Sequence, residues 1–259
     1  MAYVAAYLAL TSFISAARMS LDGKLILITG AARRVGRELA LAVAHAGGDV
    51  VVHYGHSQED AIRLSQEIRA LGRKAFWIQA DLNNPDQAST LVHTASEHGP
   101  LYGLVNNAAI FEPHSWQDTS LEDWNRHLMV NLVTPFLLSQ AFARHLAHNT
   151  NGRIVNMLDW RALRPGADHL PYTISKAALA ALTHSLAIAL APNINVNGLA
   201  LGAALPPIDG PVPANMLINV PAGRWAEPNE VGQALIFLLD GPAYLTGEII
   251  HVDGGRHLV

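Results

Sequence analysis

The sequence predicts an α/β fold, a single doubly wound parallel sheet flanked by helices, and three observations carry that expectation. Short apolar runs alternate with helix-period segments along the chain. A glycine-containing turn joins the first run to the first helix. No repeat and no Pro/Gly-rich linker divides the sequence. Strands that are apolar on both faces need a parallel sheet covered by helices on both sides.

In chain order, Lys24–Thr29 reads as a buried strand entering Gly30–Gly36, and a helical stretch follows until Gly47-Gly48 stops it. Asp49–Tyr54 reads as a second strand. Ser57-Gln58-Glu59-Asp60 has the form of a capping box that starts a helix to about Leu71. Lys74–Gln79 is a third strand, followed by a helix within Asn84–His98. Strand Leu101–Asn106 precedes one long helix from about Ser120 to His148, then strand Arg153–Met157. Helix Tyr172–Leu190 leads to strand Asn193–Leu199, a proline-bearing loop over Gly202–Glu227, helix Asn229–Asp240 and strand Glu248–Val252. With right-handed crossovers this alternation gives a Rossmann-type arrangement in one domain, residues 21–259.

Residues 1–20 read as an N-terminal extension. Met1–Ala17 carries no charge, and Val4–Ala17 has the look of a weak signal-peptide core, but it lacks a basic lead-in and is short for a membrane span. Met19-Ser20-Leu21-Asp22-Gly23-Lys24 would itself begin such a domain, so an upstream start or a loose extension is favoured over export, and the expected location is cytoplasmic.

Half of the 259 residues are hydrophobic, 15% are charged and the formal net charge is −4. That is ample for a large core, and with no basic run it argues against nucleic-acid or anionic-membrane partners. The chain has no cysteine, which excludes disulfides, thiol catalysis and Cys-ligated zinc. His145 and His148 lie three apart on a helix without a third ligand in view, so no metal site is expected.

Thr29–Gly36 sits at the first strand–helix turn. Gly30 suits the sharp bend and Gly36 the close helix–strand approach, and with Arg33, Arg34 and Val35 they form a candidate pyrophosphate turn. A chain selective for NAD usually places Asp or Glu at the end of the second strand; here His53-Tyr54-Gly55-His56-Ser57 stands there instead. Arg33, Arg34, His56 and Ser57 can surround a 2′-phosphate, which favours NADPH. Asp81, beside Leu82, is placed to accept from an adenine amino group, and Asn107-Ala108-Ala109 leave room for a cofactor ribose.

Tyr172 and Lys176 lie four apart and share a helix face, an arrangement in which an ammonium can favour the phenolate. Thr29–Gly36, Asn106–Ala109, Asn131, Tyr172-Thr173-Ile174-Ser175-Lys176 and Val252-Asp253-Gly254-Gly255 together resemble the short-chain dehydrogenase/reductase family, from about Gly23 to the C-terminus. The chain departs from the family at Asp159, thirteen residues before the tyrosine, where most members carry serine, and at Arg34, where they carry glycine. Those two residues, with His53-Tyr54, Ser57, Phe111 and the terminal Asp253–Leu258, resemble pteridine reductases and dihydromonapterin reductases.

The resemblance implies NADPH-dependent reduction of a pterin-like ring, held between the nicotinamide and Phe111. Arg34 would contact substrate or cofactor phosphate, Asp159 and Tyr172 would deliver the proton, and Asn131 would hold a water linking Lys176 to solvent. Gly202 would line the cofactor, and a homotetramer would form through the long helices. Ala109, His56 and Leu201 stand where these reductases often have serine, arginine and proline, respectively. Two other readings stay open: a carbonyl or imine reductase on the same scaffold, and an NADPH-binding sensor without turnover.

Overall fold

Seven parallel strands form one sheet in the computed structural model, which describes residues 21–146, 150–206 and 217–259. The strands are β1 (Leu25–Ile28), β2 (Asp49–Tyr54), β3 (Ala75–Gln79), β4 (Leu101–Asn106), β5 (Gly152–Asp159), β6 (Ile194–Leu201) and β7 (Ile249–Val252). Their order, β3-β2-β1-β4-β5-β6-β7, reverses direction of growth between β1 and β4. That switch opens a crevice at the carboxyl ends of the strands, where ligands bind in open α/β sheets.

The sequence explains which strands lie inside. β1 and β6 are buried at every position, whereas the edge strand β3 alternates between covered and open residues. Successive residues of β2 divide between two cores: Val50 and Val52 join one, Val51 the other. Helices α1 (Arg34–His45), α2 (Gln58–Ala70) and α7 (Pro228–Asp240) fill the first through Leu39, Leu64 and Leu235. Helices α3 (Pro85–Ser96), α5 (Thr134–His145) and α6 (Leu170–Leu190) fill the second through Leu91, Leu138, Phe142 and Ala187. Each such buried side chain contributes about 1.5–3 kcal/mol of hydrophobic stabilisation.

Two local expectations need correction. The long helix expected from Ser120 is two helices, α4 (Leu121–Leu128) and α5, joined by a π turn at Met129–Val133. Pro135 has no N–H to return to the Asn131 carbonyl, and the Thr134 N–H reaches back five residues to Met129. The capping box expected at Ser57 does not form, because Asp60 pairs with Arg63 and approaches Arg33 instead. A capping box does form at Ser120 with Asp123, and Asn84 caps α3.

Helix α6 is long and apolar enough to cross a membrane by length and composition. Its Leu179, Ala180, Thr183 and Ala187 are buried against the sheet, as a core helix requires. The N-terminal extension (1–20), His148 and residues 207–216 of the expected long loop lie outside the described residues.

A polar thread crosses this core. Asn106 donates to the Asn156 carbonyl oxygen at 2.8 Å, and the Asn156 amide donates to Thr183 at 2.9 Å. Asn156 is fully buried. Replacing it strands the Asn106 amide, so Asn156→Ala is expected to lower stability by about 1–3 kcal/mol in urea unfolding. An unchanged midpoint would show that the thread adds nothing.

Candidate active site

A cleft of about 750 Å³ lies over the carboxyl ends of β1, β4, β5 and β6. Each wall is fixed by what its strand end can do. After β1, Gly30 takes φ +60 and Gly36 packs so closely that a Cβ there would meet the Gly30 carbonyl oxygen at 2.1 Å. The Thr29 hydroxyl accepts from the N–H groups of Asn107 and Ala108 at 2.9 and 3.0 Å, tying the β1 turn to the end of β4. Arg34, at the start of α1, holds a left-handed φ of +53 and donates to the Pro206 carbonyl at 3.0 Å. The turn is therefore braced across the cleft, with Arg33 and Arg34 exposed at its rim.

At the end of β5, the Tyr172 hydroxyl donates to Asp159 Oδ2 at 3.2 Å. Asp159 Oδ1 accepts from the Arg161 N–H at 2.9 Å. Burial raises the Asp159 pKa above its ordinary value, against the pull of Arg161, Lys176 and the bond from Tyr172. The Tyr172 phenol lies well above 10, through burial first and the neighbouring Asp159 second. Lys176 Nζ donates to the Met157 carbonyl at 2.7 Å and sits 5.8 Å from the Tyr172 ring centre. Burial lowers its pKa to about 8. The expectation that Lys176 acidifies Tyr172 is thus corrected: the carboxyl, not the ammonium, is hydrogen-bonded to the phenol.

The cleft brings together Gly30, Arg33, Arg34, Val35, Gly36, Asn107, Ala108, Ala109, Phe111, Asp159, Tyr172, Lys176 and Gly202. It leaves out others expected there. His53 is buried; its Nδ1 accepts from the Gly30 N–H at 3.0 Å and its Nε2 donates to the Ala80 carbonyl at 3.1 Å. Desolvation lowers its pKa to about 4, so it is a neutral brace beneath the turn and not a phosphate ligand. Tyr54 and Leu82 are also buried in the cores, and the Leu82 carbonyl accepts from Thr134. Asp81 shapes the turn into α3 by accepting from the Asn83 N–H, and is exposed outside the cleft. His56 and Ser57 lie on the β2–α2 loop, beyond the cleft lining.

Asn131 stands at the π turn, fully buried. It accepts from the Ile110 N–H at 2.9 Å and donates to the Ile110 carbonyl and to Ser175, both at 3.0 Å. Both amide hydrogens are engaged, so its side chain positions the β4 loop against α6. Phe111 is not a bare platform either: the His169 ring stacks on it at 4.0 Å, and Tyr172 meets it edge-on at 4.7 Å. It remains 52% exposed.

Sequence reasoning missed Trp160, Arg161, Asp168, His169 and Arg256, all of which line the cleft. Adjacency to Asp159 and Tyr172 was the available signal for the first four. His145 Nδ1 donates to the Ala141 carbonyl at 3.1 Å and its Nε2 lies 3.3 Å from His93 Nδ1, away from the cleft. Glu112, His114 and Asp123 bring ligand atoms within 4.8 Å of one another, but the Arg126 guanidinium bridges both carboxylates.

Comparisons with known proteins agree with this geometry. The family model described as enoyl-(acyl carrier protein) reductase matches residues 30–257. The chain is 34% identical over 236 residues to 3-oxoacyl-(acyl-carrier-protein) reductase FabG of Aggregatibacter actinomycetemcomitans, covering 89% of this chain and 98% of the relative. It is 32% identical over 246 residues to 2-dehydro-3-deoxy-D-gluconate 5-dehydrogenase of Escherichia coli, covering 91% and 96%. The crystal structure of FolM alternative dihydrofolate reductase 1 from Brucella canis, complexed with NADP, superposes with a TM-score of 0.85 at 33% identity, covering 92% and 96%. The glycine turn, the Tyr172–Lys176 pair and these matches along nearly the whole sequence establish that the chain belongs to the short-chain dehydrogenase/reductase family of oxidoreductases.

Proposed function

We propose that the protein is an NADPH-dependent reductase of pterin-type rings, dihydropterin- or dihydrofolate-like. The observation that carries this reading is a buried carboxyl, Asp159, hydrogen-bonded to Tyr172 where most of the family carries serine. The FolM neighbour, an alternative dihydrofolate reductase in complex with NADP, supports it.

The residues fit the cofactor. No side chain can occupy Gly36, which keeps backbone open beside the first turn, and Arg33 and Arg34 offer cations at the rim with no acid at the end of β2. When bound, the cofactor supplies a hydride to an electrophilic ring carbon. Gly30, Arg33, Arg34, Val35, Gly36, Asn107, Ala108, Ala109, Lys176 and Gly202 would hold it.

This chain's own residues manage the proton. Reduction of a C=N bond adds hydride to carbon and a proton to nitrogen, so the site needs an acid facing the heterocycle. Asp159, whose acid form burial favours, donates its proton to the ring nitrogen. Tyr172 stays neutral and returns its hydroxyl hydrogen towards the carboxylate left behind, which stabilises the charge that develops there. A serine at 159 would suit a carbonyl oxygen, as in ketone reduction, but has no comparable acidity. Phe111 and His169 offer stacking surface for a planar substrate. Phe136, Ile174 and Ile188, exposed on α5 and α6, are proposed to pack against further copies in a homotetramer.

NADPH oxidation by the purified protein is expected with dihydrobiopterin, dihydromonapterin or dihydrofolate in preference to a panel of ketones. Turnover of ketones alone would overturn the assignment. Asp159→Ser is expected to lower kcat for pterin reduction by about 100-fold or more, while the NADPH dissociation constant, read by fluorescence, changes little. Equal losses in both would remove the proton-donor role. Because the acid form of Asp159 is the active one and its pKa is raised, kcat/KM holds at acidic pH. It falls as pH passes through a point above the ordinary carboxylate range. That limb should vanish in Asp159→Ser; its persistence would assign it to another group.

A further inference from the structure

The substrate end of the cleft carries more positive charge than the proton chemistry uses. The Arg161 guanidinium lies 5.9 Å from the Phe111 ring centre and 4.9 Å from the Trp160 ring centre. The Arg256 guanidinium lies 4.6 Å from the same Trp160 ring. Rings and cations therefore run in a row, His169, Phe111, Arg161, Trp160, Arg256, outward from Tyr172, and all of them line the cleft.

The two arginines differ in what already satisfies them. Arg161 donates to Asp168 at 2.9 Å and approaches Asp159 at 3.8 Å. Arg256, half-buried, forms no ion pair among the described residues. Its fork of donors is held by stacking on Trp160 beside a second guanidinium, and burial and that like charge both work against it. An arginine stacked on an aromatic ring, partly desolvated and with no carboxylate within ion-pair distance, though Asp159, Asp168 and Asp253 attract it from further away, is arranged for bidentate recognition of an anion.

We infer that Arg256, stacked on Trp160 next to Arg161, forms a subsite for a carboxylate carried on the tail of the substrate ring. The inference rests on the pterin reading and narrows it: the favoured substrate bears an anionic tail, as dihydrofolate does through its glutamate, and is not a pterin with a neutral polyol side chain. The planar part of the tail would lie along Trp160 and Phe111, and the carboxylate would end on Arg256.

Binding of folate and of biopterin to the NADP-loaded full-length protein, measured by calorimetry, separates this inference from the reading beneath it. Wild type is expected to bind folate at least tenfold more tightly than biopterin, a preference that shrinks as salt rises. Arg256→Gln is expected to reduce the folate-to-biopterin affinity ratio by about tenfold or more. Equal affinity for the two ligands in wild type, a ratio unchanged in the variant, or a salt-insensitive preference would overturn the subsite while leaving pterin reduction standing. Weaker binding of NADP itself in the variant would show that the anion is the cofactor's phosphate, and would also overturn it. Folate binding that depends on Arg256, in a protein that reduces no pterin, would uphold the subsite and overturn the reductase reading. Should Arg256→Gln fail to fold, the salt dependence of the wild-type ratio decides alone.

Discussion

The hydrogen bond from Tyr172 to Asp159 is the contact around which the rest of the molecule is arranged. Its donor is the third residue of α6 and its acceptor the last residue of β5, so it exists only if helix and strand meet in one register. Several other contacts hold that register. Lys176 donates to the Met157 carbonyl, Asn156 links to Thr183, and Asn131 joins Ser175 to the Ile110 backbone. All are buried, where a satisfied polar group rigidifies and an unsatisfied one is costly. The raised pKa of both the carboxyl and the phenol depends on that rigidity, since any loosening would admit water and return both groups to their ordinary acidity.

The cofactor side and the substrate side of the cleft are built differently. On the first, backbone bonds and small residues dominate: Thr29 to Asn107 and Ala108, His53 to Gly30, and Gly36 against Gly30. On the second, long side chains from loops and short 3-10 turns dominate: Phe111, Trp160, Arg161, His169 and Arg256. The relatives named above act on unlike substrates, an acyl-carrier-protein thioester and a sugar acid among them. A rigid cofactor wall facing a variable substrate wall is what such a spread requires.

The fold was legible because its determinants are local and periodic. Apolar runs such as Leu25–Ile28 and Val50–Val52 announce strands, and Gly47-Gly48 stops a helix whatever lies elsewhere. Tyr172, Lys176 and Asp159 were legible through spacing within one strand–helix unit. What stayed hidden depends on contacts between distant segments. His53 reads as a cation at the end of a strand, yet Gly30 and Ala80 converge on its two nitrogens and burial keeps it neutral. Asn131 stands out in the sequence only as a motif residue, and the fold alone shows that Ile110, twenty-one residues away, takes up its side-chain amide. Arg256 lies ninety-five residues beyond Arg161, and only the fold stacks both on Trp160. The π turn was the exception: Pro135 was visible, and the lost N–H at that position could have been read from sequence.

His53 braces the glycine turn from beneath without reaching the cleft. An acidic residue at the end of β2 would accept hydrogen bonds from ribose hydroxyls and repel a 2′-phosphate. β2 ends instead at Tyr54, and the residue before it is a buried neutral imidazole whose Nδ1 accepts the Gly30 N–H, while the His53 carbonyl accepts from Ala31. The first two N–H groups of the turn are thereby taken, and the donors left for an anion begin further along, beside Arg33 and Arg34. The lack of an acid at the end of β2 and the brace beneath the turn thus act on the same few residues: one removes a repulsive charge, the other fixes which donors face outward. At this end the rim side chains are cations, Arg33 and Arg34, above a buried uncharged brace; at the other, Arg161 and Arg256 flank Trp160, with the buried carboxyl of Asp159, its pKa raised, between the two ends.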